Sequence, residues 1–391
     1  MNDYEALSHL VKDKVSQVIG TPQGHVALHE PEFLGAEEDF LRDCIRSTFV
    51  SSVGHYVDRF EEEIAKATGT KHGVAVVNGT AALEVALRVA GVQPNDEVLM
   101  PSLTFIATAN AAHHLGAVPH FVDSEERTLG LDPNKLRLHL NKIADTRSGG
   151  IINRHTGRRL TAVVPMHAFG HPVDMETLGD VAAEFGLKIV EDAAEALGSK
   201  LNGQPCGSFG HVAALSFNGN KIITTGGGGA IVTDDPTLAA RAKHLTTTSK
   251  VPHKWAFIHD EIGYNYRMPN LNAALGVAQL AQLEQKLLQK RALANRYIDV
   301  FRECTDIEMF SEREGTNSNY WLNTMILSSA VSSARDTILS TLNDSQLMSR
   351  PVWEPMHTLQ IYANCPRADL AVTEDLARRI INLPSSAKLG A

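Results

Sequence analysis

The chain has 391 residues, 43% of them hydrophobic and 21% charged, with a formal net charge of −9. A chain of that length is too long to fold around one ordinary hydrophobic core. The excess of acidic residues argues against sequence-independent nucleic-acid binding, which needs a basic surface. No apolar run reaches the ~18 residues of a membrane span, and residues 1–20 lack the apolar stretch of a secretory signal. We therefore expect a cytoplasmic protein with neither nucleic-acid nor membrane partners.

The elements predicted in chain order begin with a polar, partly helical extension over residues 1–24. Helices and short apolar strands then alternate up to about residue 245. The predicted helices cover 81–90, 104–115 and 175–185, and the predicted strands cover 97–100, 118–122, 162–166, 187–190 and 212–217. Such alternation predicts a mainly parallel sheet covered by helices on both faces.

The pattern changes after residue 245. A loop is predicted over 252–260, and one long helix runs from 270 to about 300. Beyond it lie two predicted strands and a helix, at 321–327, 348–352 and 334–343. We therefore predict a large domain over 25–268 and a smaller α/β domain over 269–391, with the long helix linking the two. The four scattered cysteines have no metal-site spacing, and no metal is expected.

Two candidate binding features lie in the first half of the alternating region. Residues 78–82 (Asn-Gly-Thr-Ala-Ala) begin a helix, and the free N–H groups of its first turn can bind an anion. The hydroxyl of Thr80 can bind the same anion. An ordinary helix cap at Asn78 or Thr80 explains the same residues. Phe105 is placed to lie against an aromatic cofactor, although an isolated phenylalanine is more often part of a core.

Two further candidates follow later strands. Asp192 ends a strand, where a carboxylate either caps a helix or keeps a pyridine nitrogen protonated. Lys221 lies between the strand at 212–217 and four glycines at 226–229, which allow close approach of backbone to a ligand. A partly desolvated lysine attacks aldehydes, whereas the alternative is a surface lysine on a flexible loop. In combination the candidates favour pyridoxal phosphate (PLP), and the sequence has neither a P-loop nor a dinucleotide fingerprint.

These residues resemble the DegT/DnrJ-type sugar aminotransferases, a branch of the fold-type I PLP enzymes. The resemblance extends from about residue 29 to 386. It is carried by Asn-Gly-Thr-Ala-Ala-Leu (78–83), Pro-Ser-Leu-Thr-Phe-Ile-Ala-Thr (101–108), Glu-Asp-Ala-Ala-Glu (191–195), Ser-Phe-Asn-Gly-Asn-Lys (216–221) and Gly-Tyr-Asn-Tyr-Arg-Met (263–268). It implies a mainly parallel seven-stranded sheet in the large domain.

The resemblance also implies roles for single residues. Lys221 would hold PLP as a Schiff base, Asp192 would pair with the pyridine nitrogen, and Phe105 would stack on the ring. Asn265 would reach the cofactor phosphate of the other subunit, so a homodimer with shared sites is expected. The other residues implied to contact the cofactor are Gly79, Thr80, Ala81, His167, Glu195, Ser216 and Asn218.

One of these residues has an alternative interpretation, and two positions, 195 and 227, depart from the family pattern. His167 has an alternative as an internally satisfied histidine. Relatives commonly have Gln or His at the position of Glu195, where a charged carboxylate would repel the cofactor's phenolate unless it is protonated or turned away. Gly227 replaces a frequent Glu.

A finer resemblance links the chain to aminotransferases of the legionaminic-acid pathway. It is carried by residues 28–35, 50–54, 244–248 and 350–353. It implies transfer of the amino group of L-glutamate to C4 of a nucleotide-linked 2-acetamido-4-keto-2,4,6-trideoxyhexose. The expected substrate contacts are Tyr264, Arg267, Arg350 and Trp353, and each arginine has an alternative as a structural ion pair.

Three other functions remain open. The first is an aminotransferase acting on a different nucleotide keto-sugar, of the perosamine type. The second is a PLP-dependent sugar dehydratase, although those relatives have His at the position of Lys221. The third is a non-enzymatic scaffold or ligand sensor, which the presence of both Lys221 and Asp192 disfavours.

Overall fold

The computed structural model describes residues 3–20, 24–147 and 150–391. The helices are α1 Asp3–Ile19, α2 Glu37–Ser47, α3 His55–Thr68, α4 Gly79–Val89, α5 Ile106–His114, α6 Pro133–Ile143, α7 Met175–Phe185, α8 Pro236–Thr246, α9 Asn270–Leu280, α10 Leu283–Phe301, α11 Arg335–Asp344 and α12 Ala371–Arg379. The strands are β1 His72–Val76, β2 Glu97–Pro101, β3 Val118–Val122, β4 Ala144–Arg147, β5 Gly150–Asn153, β6 Arg159–Val163, β7 Lys188–Asp192, β8 Lys200–Leu201, β9 Gln204–Pro205, β10 Val212–Ser216, β11 Gly229–Thr233, β12 Lys250–Val251, β13 Ile258–His259, β14 Ile307–Met309, β15 Thr316–Asn317, β16 Asn323–Leu327, β17 Arg350–Pro351 and β18 Ile380–Leu383.

The main sheet has the strand order β1-β11-β10-β7-β6-β2-β3. The pairs β10·β7, β7·β6, β6·β2 and β2·β3 are parallel, while β11 is antiparallel to both of its neighbours. The hairpin β4–β5 extends the sheet beside β6. The predicted mainly parallel seven-stranded sheet is therefore confirmed, with this hairpin added.

Helix α4 crosses the sheet with its N-terminus at the edge where the parallel strands end. The side chain of Asn78 caps it, accepting a hydrogen bond from the N–H of Ala81 at 2.8 Å. All residues from Ala81 to Leu87 are buried, because the helix packs between β10 and β11 on one side and α5 on the other. A helix with this many buried residues is held by packing on most of its surface, so its N-terminus is firmly placed.

Several predicted elements differ from the structure. The segment predicted as a loop over 252–260 contains the short strand β13, which pairs with β12. The single helix expected from 270 to 300 is two helices, α9 and α10, separated where Gln282 has non-helical backbone angles. At this break the side chains of Gln279 and Gln282 both donate to one carboxylate oxygen of Glu37. The strand expected at 162–166 begins and ends earlier, as β6, because its continuation turns into the segment that carries His167 and Phe169.

A second sheet, antiparallel and of four strands in the order β14-β16-β18-β17, belongs to the C-terminal part of the chain. Helix α1 packs against α10 and α11, and its buried Val11, Val15 and Val18 join the same hydrophobic cluster as Tyr297. The N-terminal segment predicted as an extension thus contributes to a core built mostly from residues after 290. Among the described residues, no helix combines the length and apolarity that a membrane crossing requires.

The packing of α1 leads to a stability prediction. Val15→Asp places a charge where the side chain is fully buried, and should lower the free energy of unfolding by about 3 kcal/mol or more. Leu10→Asp, on the exposed side of the same helix, should change it by less than about 0.5 kcal/mol. Urea unfolding followed by circular dichroism measures both. Equal effects of the two substitutions would show that α1 does not stabilise this core.

Candidate active site

A cavity of about 460 Å³ opens at the edge of the main sheet where β1, β2, β6, β7 and β10 end. Because parallel strands place their carboxyl ends along one edge, the loops that follow them converge there. Residues next to or within β16, β17 and β18 close the opposite wall. Its lining residues include Gly79, Thr80, Phe105, Phe169, Asp192, Glu195, Ser216, Asn218, Lys221, Trp321, Arg350 and Trp353.

Lys221 enters this cavity from the loop after β10. The loop is folded back on the strand, since the N–H of Phe217 donates to the carbonyl of Gly228 and that of Thr225 to the carbonyl of Phe217. The Lys221 side chain is 12% exposed, and its Nζ lies 3.2 Å from Oε1 of Glu195 and 3.8 Å from the ring centroid of Trp321. The amine is therefore held by a carboxylate and an aromatic face inside a largely apolar cavity.

Asp192 ends β7 in the same cavity and is buried. Its Oδ2 accepts from the hydroxyl of Thr108 at 2.7 Å, and its Oδ1 accepts from the N–H of Ala194 at 3.2 Å. Burial raises the pKa of Asp192, while these two hydrogen bonds act in the opposite direction. A cation opposite this carboxylate would compensate its desolvation, as a protonated pyridine nitrogen does.

Glu195 lies between the lysine and the backbone of the opposite loop. Its Oε2 accepts from the N–H of Phe169 at 2.9 Å, and its Oε1 faces Lys221. Phe169 has a φ of 56°, a left-handed conformation that costs a non-glycine residue about 1–2 kcal/mol. Its ring is buried and stacks on Trp353 at 4.9 Å, which holds the unusual backbone in place. The carboxylate is therefore turned toward Lys221.

The N-terminus of α4 forms a second polar part of the cavity. Gly79 and Thr80 occupy the first turn, where a helix leaves its N–H groups without intrahelical partners. A Cβ on Gly79 would lie 2.8 Å from Cβ of Ser216, so only glycine allows this close approach. The Ser216 side chain, at the end of β10, thus lies against the helix start. This arrangement suits a phosphate group.

His167 lies behind the cavity and is fully buried. Its Nδ1 accepts from the N–H of Val173 at 3.1 Å, which places the ring proton on Nε2, 3.1 Å from Oε2 of Glu191. The adjacent residue, Met166, lines the cavity, and its backbone forms a parallel β-bridge with Asp192. Both ring nitrogens therefore have partners within the protein, which matches the alternative of an internally satisfied histidine.

Several predicted site residues lie outside the cavity of this chain. The N–H of Ala81 is occupied by Asn78, and Asn265 pairs with the backbone at Thr247. The ring of Tyr264 stacks on Tyr266, 4.7 Å away. Arg267 pairs by its backbone with β1, and its buried Nε has no hydrogen-bond partner among the described residues.

Two predicted substrate contacts, Arg350 and Trp353, do line the cavity, opposite the strand ends. Sequence reasoning missed the neighbours that complete this wall. Trp321 donates its Nε1–H to the carbonyl of Asn220 at 2.7 Å and so fixes the loop that carries Lys221. Thr108 was within a recognised motif, but its contact with Asp192 spans 84 residues and had no local signal.

The residues present fit PLP. The cavity has the volume of a cofactor site, with a nucleophilic amine, a buried carboxylate and a helix N-terminus around it. Phe105 lines the same cavity and is half exposed, so its ring is free to contact a flat ligand. In a bound complex Lys221 would hold the aldehyde carbon, Asp192 the ring nitrogen, and Gly79, Thr80 and Ser216 the phosphate.

Comparisons with known proteins identify aminotransferases similar to this chain. GDP-perosamine synthase of Escherichia coli O157:H7 is 35% identical over 361 residues, covering 92% of this chain and 93% of that protein. The putative pyridoxal phosphate-dependent aminotransferase EpsN of Bacillus subtilis (strain 168) is 33% identical over 368 residues, covering 93% of this chain and 92% of that protein. A crystal structure of DesI in the presence of its TDP-sugar product superposes with a TM-score of 0.81 and 29% identity, covering 93% of this chain and 88% of that chain.

The family model of the DegT/DnrJ/EryC1/StrS aminotransferases matches residues 34–391, nearly the whole chain. The fold is that of the fold-type I PLP enzymes, the cofactor is PLP, and the protein is an aminotransferase. With Lys221, Asp192 and a helix N-terminus around one cavity, the chain belongs to the DegT/DnrJ/EryC1/StrS aminotransferase family.

Proposed function

We propose that the protein transfers the amino group of L-glutamate to C4 of a nucleotide-linked 4-keto-6-deoxy sugar. The sugar is a UDP- or GDP-linked 2-acetamido-4-keto-2,4,6-trideoxyhexose, and the product enters a legionaminic-acid-type or related surface-glycan route. The observation that carries the proposal is the convergence of Lys221, Asp192 and the α4 N-terminus on one cavity. The choice of glutamate as amino donor, the position of the new amine at C4 and the biosynthetic route are taken from the sequence resemblance.

The residues of the cavity take complementary roles in the transfer. When bound, PLP supplies an electron sink for the charge left at the donor's Cα. Lys221 Nζ removes the Cα proton and then returns a proton, acting as base and acid in turn. Asp192 keeps the proton on the ring nitrogen, because a buried carboxylate favours a neighbouring cation. Transfer then runs in two half-reactions through one site, the pattern of ping-pong kinetics.

The wall opposite the strand ends is proposed to hold the substrates. Arg350 is exposed at the cavity mouth, and its Nη1 lies 3.3–3.4 Å from two oxygens of neighbouring residues, which leaves donors for a carboxylate or diphosphate. Trp353, supported from behind by the buried ring of Phe169, is an aromatic surface suited to the apolar face of a deoxysugar. Tyr264 and Arg267, which lie outside this chain's cavity, fit this role only across a subunit interface.

A homodimer with shared sites completes the proposal. Large apolar side chains are exposed on two segments, at residues 33–53 and 255–262, with Trp255 78% and Phe257 82% exposed. Exposed apolar residues grouped in this way mark interaction surfaces. Asn265 follows the second segment and is exposed, so its side chain is available to a partner's phosphate site.

The names of relatives support a nucleotide sugar as the substrate, and two alternatives to the proposed function remain. GDP-perosamine synthase is the printed name of one relative, and another is named UDP-N-acetyl-3-dehydro-alpha-D-glucosamine 3-aminotransferase. A perosamine-type substrate, with a hydroxyl at C2, is therefore the second candidate. The dehydratase alternative is disfavoured because Lys221 occupies the cavity.

The test is a substrate panel. Full-length protein with PLP and L-glutamate is incubated with UDP- and GDP-linked 4-keto-6-deoxy sugars. Each sugar carries either an acetamido group or a hydroxyl group at C2. We expect one 2-oxoglutarate per amino sugar, with NMR placing the new amine at C4 and the 2-acetamido sugar converted fastest. A 2-hydroxy sugar converted faster would favour the perosamine type. Loss of a sugar hydroxyl in place of amination would indicate a dehydratase.

A further inference from the structure

The carboxyl group of Glu195 touches the reacting atom of the site. Its Oε1 lies 3.2 Å from Nζ of Lys221, and its side chain is 2% exposed. The other oxygen is fixed by the N–H of Phe169 at 2.9 Å, and the Glu195 carbonyl accepts from the amide of Asn319 at 2.8 Å. One carboxyl oxygen is thus fixed by Phe169, the backbone of Glu195 is fixed by Asn319, and the other carboxyl oxygen is left for Lys221.

Two charged side chains face Glu195 in the part of the chain that the structure describes. Lys221 faces it from the loop after β10, and Asp192 from the end of β7. Burial raises the pKa of Glu195 to about 7, against the opposing effects of the Lys221 charge and of the Phe169 N–H. A carboxyl group of this kind exchanges protons near neutral pH, where general acid–base catalysis is most effective.

We propose that Glu195 is a catalytic acid–base partner of Lys221, exchanging a proton with Nζ while the amine attacks a carbonyl carbon. The inference rests on the proposed function, because it takes Lys221 as the nucleophile. The Lys221 ammonium gives one proton to the Glu195 carboxylate, and the freed lone pair on Nζ forms the bond to the aldehyde carbon. A second proton of Nζ passes to the former aldehyde oxygen, which becomes a hydroxyl. The carboxylic acid then returns its proton to this hydroxyl, which leaves as water, so a protonated C=N bond with one N–H remains and the carboxylate is restored.

The alternative for Glu195 is a permanent counter-ion that neutralises Lys221 without moving a proton. The two roles differ in pH dependence. A proton acceptor is active only as the carboxylate, so the rate of cofactor capture should fall tenfold per pH unit below about pH 7 and level off above it. A permanent counter-ion produces no break at that pH.

The experiment follows capture of added PLP by full-length, cofactor-free protein, using the rise of visible absorbance between pH 5.5 and 8.5. The parent should show the break near pH 7. Glu195→Gln should lack it and capture PLP about 10²-fold more slowly at pH 8. The phosphate of PLP ionises in the same range, but its effect is common to both proteins and cancels in the ratio of their rates. Glu284→Gln, the same change on the exposed face of α10, should match the parent.

A second variant separates chemistry from structure. Glu195→Ala leaves space beside Nζ, and added formate should restore its capture rate in proportion to concentration, whereas Glu195→Gln should not respond. A parent profile without the break, or an alanine variant indifferent to formate, would overturn the proposal. None of these measurements uses a sugar substrate, so they stand even if the proposed sugar is wrong.

Discussion

Lys221→Ala should abolish covalent attachment of PLP and lower turnover by at least about 10⁴-fold. The variant loses both the nucleophile and the group that moves the Cα proton, and proton transfer by a positioned side chain alone contributes about 10²–10⁴. Borohydride reduction followed by peptide mass spectrometry locates the attachment, and 2-oxoglutarate formation measures turnover. The neighbours Glu195 and Trp321 remain in place, so the cavity itself should persist.

The matched control is Lys142→Ala, an exposed lysine at the end of α6. Its turnover should stay within twofold of the parent, because surface substitutions away from a site seldom matter. If the parent carried the reduced cofactor on a peptide other than the one with Lys221, the assignment would be wrong.

Asp192→Asn should lower turnover by about 10²–10³-fold while leaving PLP attached to Lys221. The amide keeps the shape and the contact with Thr108 but loses the negative charge that holds a proton on the ring nitrogen. Removing one preorganised electrostatic group from an active site has an effect of this size. The combination of intact attachment and slow turnover distinguishes this variant from Lys221→Ala.

Asp180→Asn, on the exposed face of α7, is the control for the change of charge. Thr108→Val tests the support of the carboxylate, and we expect a smaller loss than for Asp192→Asn, since only one of two hydrogen bonds to Asp192 is removed. An Asp192→Asn variant with parental turnover would contradict the role given to this carboxylate.

Several features of the site could be predicted from the sequence because their signals are local. The apolar strands ending at Asp192 and before Lys221 are short runs, and the rule that parallel strands end along one edge brings them together without further information. The residue types of the Asn78–Thr80 segment are enough to predict the start of a helix. These motifs also carried the family resemblance.

Other features had no local signal. The sequence suggests one helix from 270 to 300, but the Glu37 carboxylate, more than 240 residues away, binds both glutamines at the break between α9 and α10. Helix α1 looks like a polar extension, because only its three valines and one serine are buried, and their partners lie beyond residue 290. Patterns within a segment do not identify such distant partners.

Glu195 shows most clearly the difference between what local sequence predicts and what tertiary contacts set. The sequence by itself determined that a carboxyl group stands three residues after Asp192. Only the tertiary structure decided that this carboxyl is buried, fixed by the N–H of Phe169 and turned toward Lys221. The physical reason is that residue type is local, whereas desolvation and hydrogen-bond partners, which set a pKa, come from segments joined by folding.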